Sequence, residues 1–118
     1  MKKSISTTTS LKLVSAYWCS YAVDNLDQRF FWAWTEVDKI THRMSDEAFD
    51  ILCQLAYSAP DERAEAYFTA GPLEDYVNLV VAKQDVEEAK RINSTVVLQK
   101  LLPLVWGNVD KFKELLKK

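Results

Sequence analysis

Glycine, proline and histidine are scarce in this chain of 118 residues, at two, three and one copies. β-Sandwiches and barrels need many tight turns, and the residues that build them are missing, so helix is the economical reading. With one histidine, His42, and two separated cysteines, Cys19 and Cys53, no nitrogen and sulfur zinc set can form. Neither cysteine belongs to a CxxC motif and both have apolar neighbours, so they read as buried small hydrophobes rather than a redox pair. Gly71 and Gly107 stand alone, which excludes a glycine-rich phosphate loop, and there is no GxSxG. No catalytic set, metal or cofactor is therefore expected. The longest uninterrupted apolar run, Phe30 to Trp34, falls far below the roughly 18–20 residues of a membrane span. Met1-Lys2-Lys3 leads into a Ser/Thr run and not into the apolar segment of a signal peptide. A cytoplasmic protein without a membrane partner is expected.

Basic residues are almost missing from one continuous third. Between Met44 and Ala89 stand eleven carboxylates and only Arg63 and Lys83, a net −9, whereas residues 1–43 carry +2 and residues 90–118 carry +5. Such polarisation speaks about partners more than about fold. Phosphates would be repelled by the middle third, and the basic end lacks an aromatic interleave, so nucleic acid is not expected as a partner.

At this length, and with hydrophobic residues at 48%, the chain can bury one core without staples. Residues 1–9 read as a flexible leader and 10–118 as a single helical domain. Ser10 can cap a helix to about Asn25, carrying Leu11, Val14, Trp18 and Tyr21 on one stripe. Asp27 can cap a second to about His42, with Phe30, Trp34, Val37 and Thr41 inward; the neighbouring Phe31 and Trp32 suggest burial on more than one side. Ser45 opens a third helix through Ala48, Phe49, Leu52, Leu55 and Ala56. Pro60 fits the first position of a fourth that buries Ala64, Tyr67 and Phe68. Gly71 reads as a left-handed stop and Pro72 as the start of a fifth helix through Leu73, Tyr76, Val77 and Val80. A sixth follows from about Gln84 to Ile92, and Asn93-Ser94-Thr95 caps a seventh that Pro103 kinks or ends. Trp106-Gly107-Asn108 turns the chain into a last helix, Val109 to Leu116, anchored by Phe112. The expected fold is all-α, a compact bundle or stacked array of about seven to eight short antiparallel helices, with a monomer favoured.

Asp46, Glu47, Asp61, Glu62, Glu74, Asp75 and Asp85 all fall in expected first turns, where the helix dipole stabilises a carboxylate. That accounts for the acids but not for the missing lysines and arginines between them. Asp46, Glu47, Asp50, Asp61, Glu62, Glu65, Glu74 and Asp75 are accordingly the candidate contacts for a basic protein partner. A carboxylate-dependent hydrolase using Glu36 or Glu74 is the enzymatic alternative, and it needs one acid in an apolar pocket and a second kept ionised. A third possibility is a structural or oligomerising module built on the Phe30 to Trp34 surface.

Phe31-Trp32-Ala33-Trp34-Thr35-Glu36-Val37-Asp38 is followed by Ala70-Gly71-Pro72-Leu73-Glu74-Asp75, and Leu104-Val105-Trp106 comes near the end. Over about Leu13 to Trp106 the chain resembles a family of small bacterial helical proteins of unassigned function, marked by WAWxxVD and AGPLED segments. The resemblance implies an all-helical fold and a bacterial origin, and no reaction. Those proteins look more like Leu-Leu followed by His-Gly after the second segment, whereas Tyr76-Val77-Asn78 stand here, so any role of that His does not carry over. By type the chain is similar to immunity proteins, which neutralise a cognate toxin domain. The expected function is thus a cytoplasmic protein-binding module, an immunity protein docking a basic, nuclease-type toxin through its acidic third.

Overall fold

In the computed structural model, which describes residues 12–18, 31–105 and 107–118, every regular element is helical and no strand occurs among the described residues. The elements are α1 (12–18), α2 (Phe31–Arg43), α3 (Asp46–Ser58), α4 (Glu62–Phe68), a π-helical segment (Thr69–Leu73), α5 (Glu74–Lys83), α6 (Val86–Ser94), α7 (Val96–Gln99), a 3₁₀ turn (Leu102–Leu104) and α8 (Val109–Leu116). The expected leader at 1–9, the caps at Ser10 and Asp27, Cys19, Phe30 and Trp106 lie outside the described residues. None of the described helices is long and apolar enough to cross a membrane.

Side-chain caps set most of the boundaries. Ser45 Oγ accepts from the Ala48 amide, Asp61 Oδ1 from Ala64 at 2.7 Å, and Asp85 Oδ1 from Glu88 at 3.1 Å. Asp61 and Asp85 are therefore the caps themselves, and Pro60 precedes the cap of α4 instead of opening the helix. Three left-handed residues, Met44, Gln84 and Asn108, make the sharp exits and entries in this glycine-poor chain. Beside Asn108, Gly107 comes so close to the Asn78 side chain that a Cβ there would lie 3.0 Å from Asn78 Oδ1.

The Gly71-Pro72 break does not exist. Gly71 has no positive φ, and helical backbone runs unbroken from Glu62 to Lys83. Proline lacks an N–H and its ring clashes with the carbonyl four residues back, which would break an α-helix. Here the helix widens instead: the Glu74 amide donates to the carbonyl of Thr69, five residues back, as well as to Gly71. Thr69, buried within this segment, satisfies its hydroxyl by donating to the Glu65 carbonyl at 2.7 Å.

One core unites the elements. Leu13, Ala33, Val37, Ile40, Ile51, Leu52, Leu55, Phe68, Tyr76, Ile92, Leu98 and Phe112 are among its buried members. Helix α2 packs on α3 and α5, α5 on α6 and α8, and α3 on α7. Among the described residues the helical stripes match the expected ones except at three aromatics. Trp34 and Tyr67 are 42% and 40% exposed, and Phe49 is only half buried. Trp32 is 51% exposed, so α2 buries one side (Ala33, Val37, Ile40 and Thr41) and presents the other to solvent. Cys53 is a free thiol packed against this core, and burial pushes it up to about 11, with Asp50 adding to the rise, as expected of an inert packing residue.

A polar clamp ties α3, α5 and α6 together. The Tyr76 hydroxyl donates to Glu88 Oε2, and Arg91 bonds the same carboxylate at 2.7 Å and Asp46 Oδ1 at 3.2 Å. The Arg91 guanidinium also sits 4.0 Å over the Phe49 ring, which is why Phe49 stays at the rim.

Candidate functional site

The eight acids expected to meet a partner divide between the two ends of α3. Asp46, Glu47 and Asp50 lie at its start, while Asp61, Glu62 and Glu65 belong to α4, which begins beyond its far end, about 18 Å away at 1.5 Å per residue. Glu74 and Asp75 return to the first end: the last turn of α2 carries His42, which acts on Asp75, and Arg43, 3.9 Å from Glu47. Among the described residues, Asp46, Glu47 and Glu65 meet arginine or lysine side chains of the same chain. Asp46 pairs with Arg91, Glu47 with Arg43, and Glu65 with Lys100 Nζ at 3.3 Å. Asp61 is spent on its cap, and Asp50 and Glu62 are exposed.

Glu74 and Asp75 differ from the others in their place along the helix. They lie inside the continuous helix 62–83, and the Glu74 amide is already bonded to Thr69 and Gly71, so no helix terminus greets these carboxylates. Opposite them, Trp34, Asp38 and His42 recur every four residues and share one flank of α2, which packs on both the π segment and α5. His42 Nδ1–H donates to the Asp38 carbonyl at 2.7 Å and lies 3.6 Å from Asp38 Oδ1. Glu36 sits about 160° round the axis from Asp38, so α2 presents Asp38, not Glu36, to Asp75.

Burial raises the Asp75 carboxyl above its ordinary value of 3.8; His42 opposes this rise, and Asp38 and Glu74 add to it. Tyr17 on α1 completes the junction. It is 2% exposed, its hydroxyl has no hydrogen-bond partner among the described residues, and burial, then Tyr67 and Asp75, push its ionisation up. Its ring stands edge-on to Trp18 and 6.3 Å from Tyr67. Asp38 and His42 of α2 thus act on Asp75, which Glu74 adjoins in α5, with the half-exposed Trp34 on the same flank as Asp38. Sequence reasoning selected Glu74 and Asp75 as contacts but did not select Asp38, His42 or Tyr17. The four-residue spacing of Trp34, Asp38 and His42 was the available signal.

Among the described residues no group of three or more His, Cys, Asp or Glu side chains is placed to hold a metal ion. The arrangement instead offers a negative field beside aromatic surface, which suits a guanidinium or ammonium group.

A carboxyl whose folded pKa is raised binds its proton more tightly in the folded state, so its contribution to stability falls as pH rises from 3.8 through the folded value. Asp75→Asn should therefore raise the melting temperature at neutral pH, and the gap should close below about pH 4, where Asp75 is protonated in the wild type. Thermal melts across pH measure this. A variant less stable than wild type at neutral pH would show that Asp75 is held by favourable partners.

No family model matches any part of the chain, and comparison with curated proteins and with solved structures finds no match.

Proposed function

We propose that this chain is a protein-binding module that recognises a basic partner through the end of the fold formed by α2, the start of α3 and the start of α5. One observation carries the reading: α2 packs on the π segment and α5, and this sets Asp38 and His42 where they act on Asp75, next to Glu74, at one acidic end of the fold. Acids from two helices set side by side at one end of a fold favour a partner of opposite charge. The net −9 of residues 44–89 extends that field beyond the cluster. Charge complementarity of this kind speeds encounter and selects the partner, while exposed aromatics such as Trp34 supply contact area. A cytoplasmic immunity protein that neutralises a basic, nuclease-type toxin domain fits this description, and its type resemblance points the same way.

The test uses a partner captured by cross-linking and identified by mass spectrometry, followed by stopped-flow association. Asp38→Lys with Glu74→Lys should slow association about tenfold and flatten its dependence on salt. Glu62→Lys, at the far end of α3, should leave both nearly unchanged. Equal rates for the double variant and wild type would refute the proposal.

A further inference from the structure

Between α5, α6, α7, the 3₁₀ turn and α8 lies a cavity of about 580 Å³. That volume falls in the range of small-molecule sites, which are apolar clefts with a few convergent polar groups. Val77, Val109, Phe112 and Leu116 supply apolar wall, and Asn93 and Gln99 supply amides. Lys113 is the one charged residue among the described residues that line it. Successive turns of α8 explain the composition. Val109, Phe112, Lys113 and Leu116 recur at spacings of three, one and three and share a face, while Asp110 and Glu114 fall outside the lining. An exposed lysine at the edge of an apolar cleft, within the +5 terminal third, favours an anion and disfavours a cation. A second apolar cavity, of about 400 Å³ beside Val14, Cys53, Tyr57 and Val97, has no charged residue among the described residues that line it and serves as an internal control.

We propose that the cavity against α8 binds a small amphipathic carboxylate, its apolar chain or ring buried against Val77, Val109, Phe112 and Leu116 and its carboxylate paired with Lys113. This site is separate from the acidic junction, so either can fail without the other. Isothermal titration with decanoate below its micelle concentration provides the test, with decyltrimethylammonium as the probe of opposite charge. Wild type should bind decanoate in the millimolar range or better. Lys113→Glu should weaken that binding about tenfold or more and improve binding of the ammonium probe. Val109→Trp, which fills the cleft, should abolish both. In methyl NMR of the wild type, which needs no variant to fold, decanoate should shift Val77, Val109 and Leu116 and leave Val14 and Val97 in place. The proposal is overturned by absent binding, by equal binding to the Lys113→Glu variant, or by shifts confined to Val14 and Val97.

Discussion

Phe68→Ala is expected to lower the free energy of unfolding by about 3–5 kcal/mol. Phe68 is fully buried and forms the last α-helical residue before the π segment. Its removal forfeits the transfer energy of an aromatic ring and leaves a void. Closing that void would require movement of a helix held to the core downstream by Leu73, Tyr76, Val77 and Val80, all of them buried. Domains of this size have only about 5–15 kcal/mol in total. Urea denaturation followed by circular dichroism measures the loss. A change below about 1 kcal/mol would mean that the site collapses freely and that the junction is not rigidly packed.

Arg91→Ala should be the next most damaging change, at about 2–3 kcal/mol. Arg91 joins Glu88, Asp46 and the Phe49 ring, and its hydrogen bond with Glu88 is the main cause of its raised pKa. The Glu88 side chain is only 12% exposed, so without Arg91 its charge faces the Tyr76 hydroxyl alone. The loss stays below that of a fully buried pair because the Arg91 side chain is 38% exposed and its Nε has no hydrogen-bond partner among the described residues. Arg91→Lys should recover less than half, since an ammonium cannot reproduce the guanidinium fork over Phe49. A double-mutant cycle with Glu88→Gln isolates the pair, and a coupling near zero would assign the loss to packing on Phe49.

Where a boundary rests on a single side chain, the chain announces it. Ser45 is read as a cap and is one, and the span of α8 matches its apolar spacing from Val109 to Leu116, whereas Asp61 and Asp85, read as first-turn acids, are themselves caps that accept from an amide three residues on. Gly71-Pro72 misleads for a physical reason. The same pair that ends an α-helix can sit in a π turn, whose wider ring accommodates proline, and local sequence does not tell these outcomes apart. That misreading gave Glu74 and Asp75, both candidate contacts, the same helix-terminus account as the other first-turn acids, whereas they lie inside a continuous helix. Trp34 and Tyr67 were placed inward by periodicity, yet hydrophobic size does not fix burial where a helix has only one packed side. Asp38 and Tyr17 meet Asp75 only through tertiary packing, which no short window of sequence contains.

The π segment also governs rotation. A turn with one residue beyond the α count resets the angular phase of everything after it. Deleting a residue between Thr69 and Leu73 would swing the downstream half by about 100°. Tyr76, Val77 and Val80 would leave the interior, and the carboxylates of Glu74 and Asp75 would point away from α2. The length of this stretch is therefore more tightly constrained than its composition: Ala70, which faces solvent, can vary, whereas insertions and deletions there cannot be tolerated.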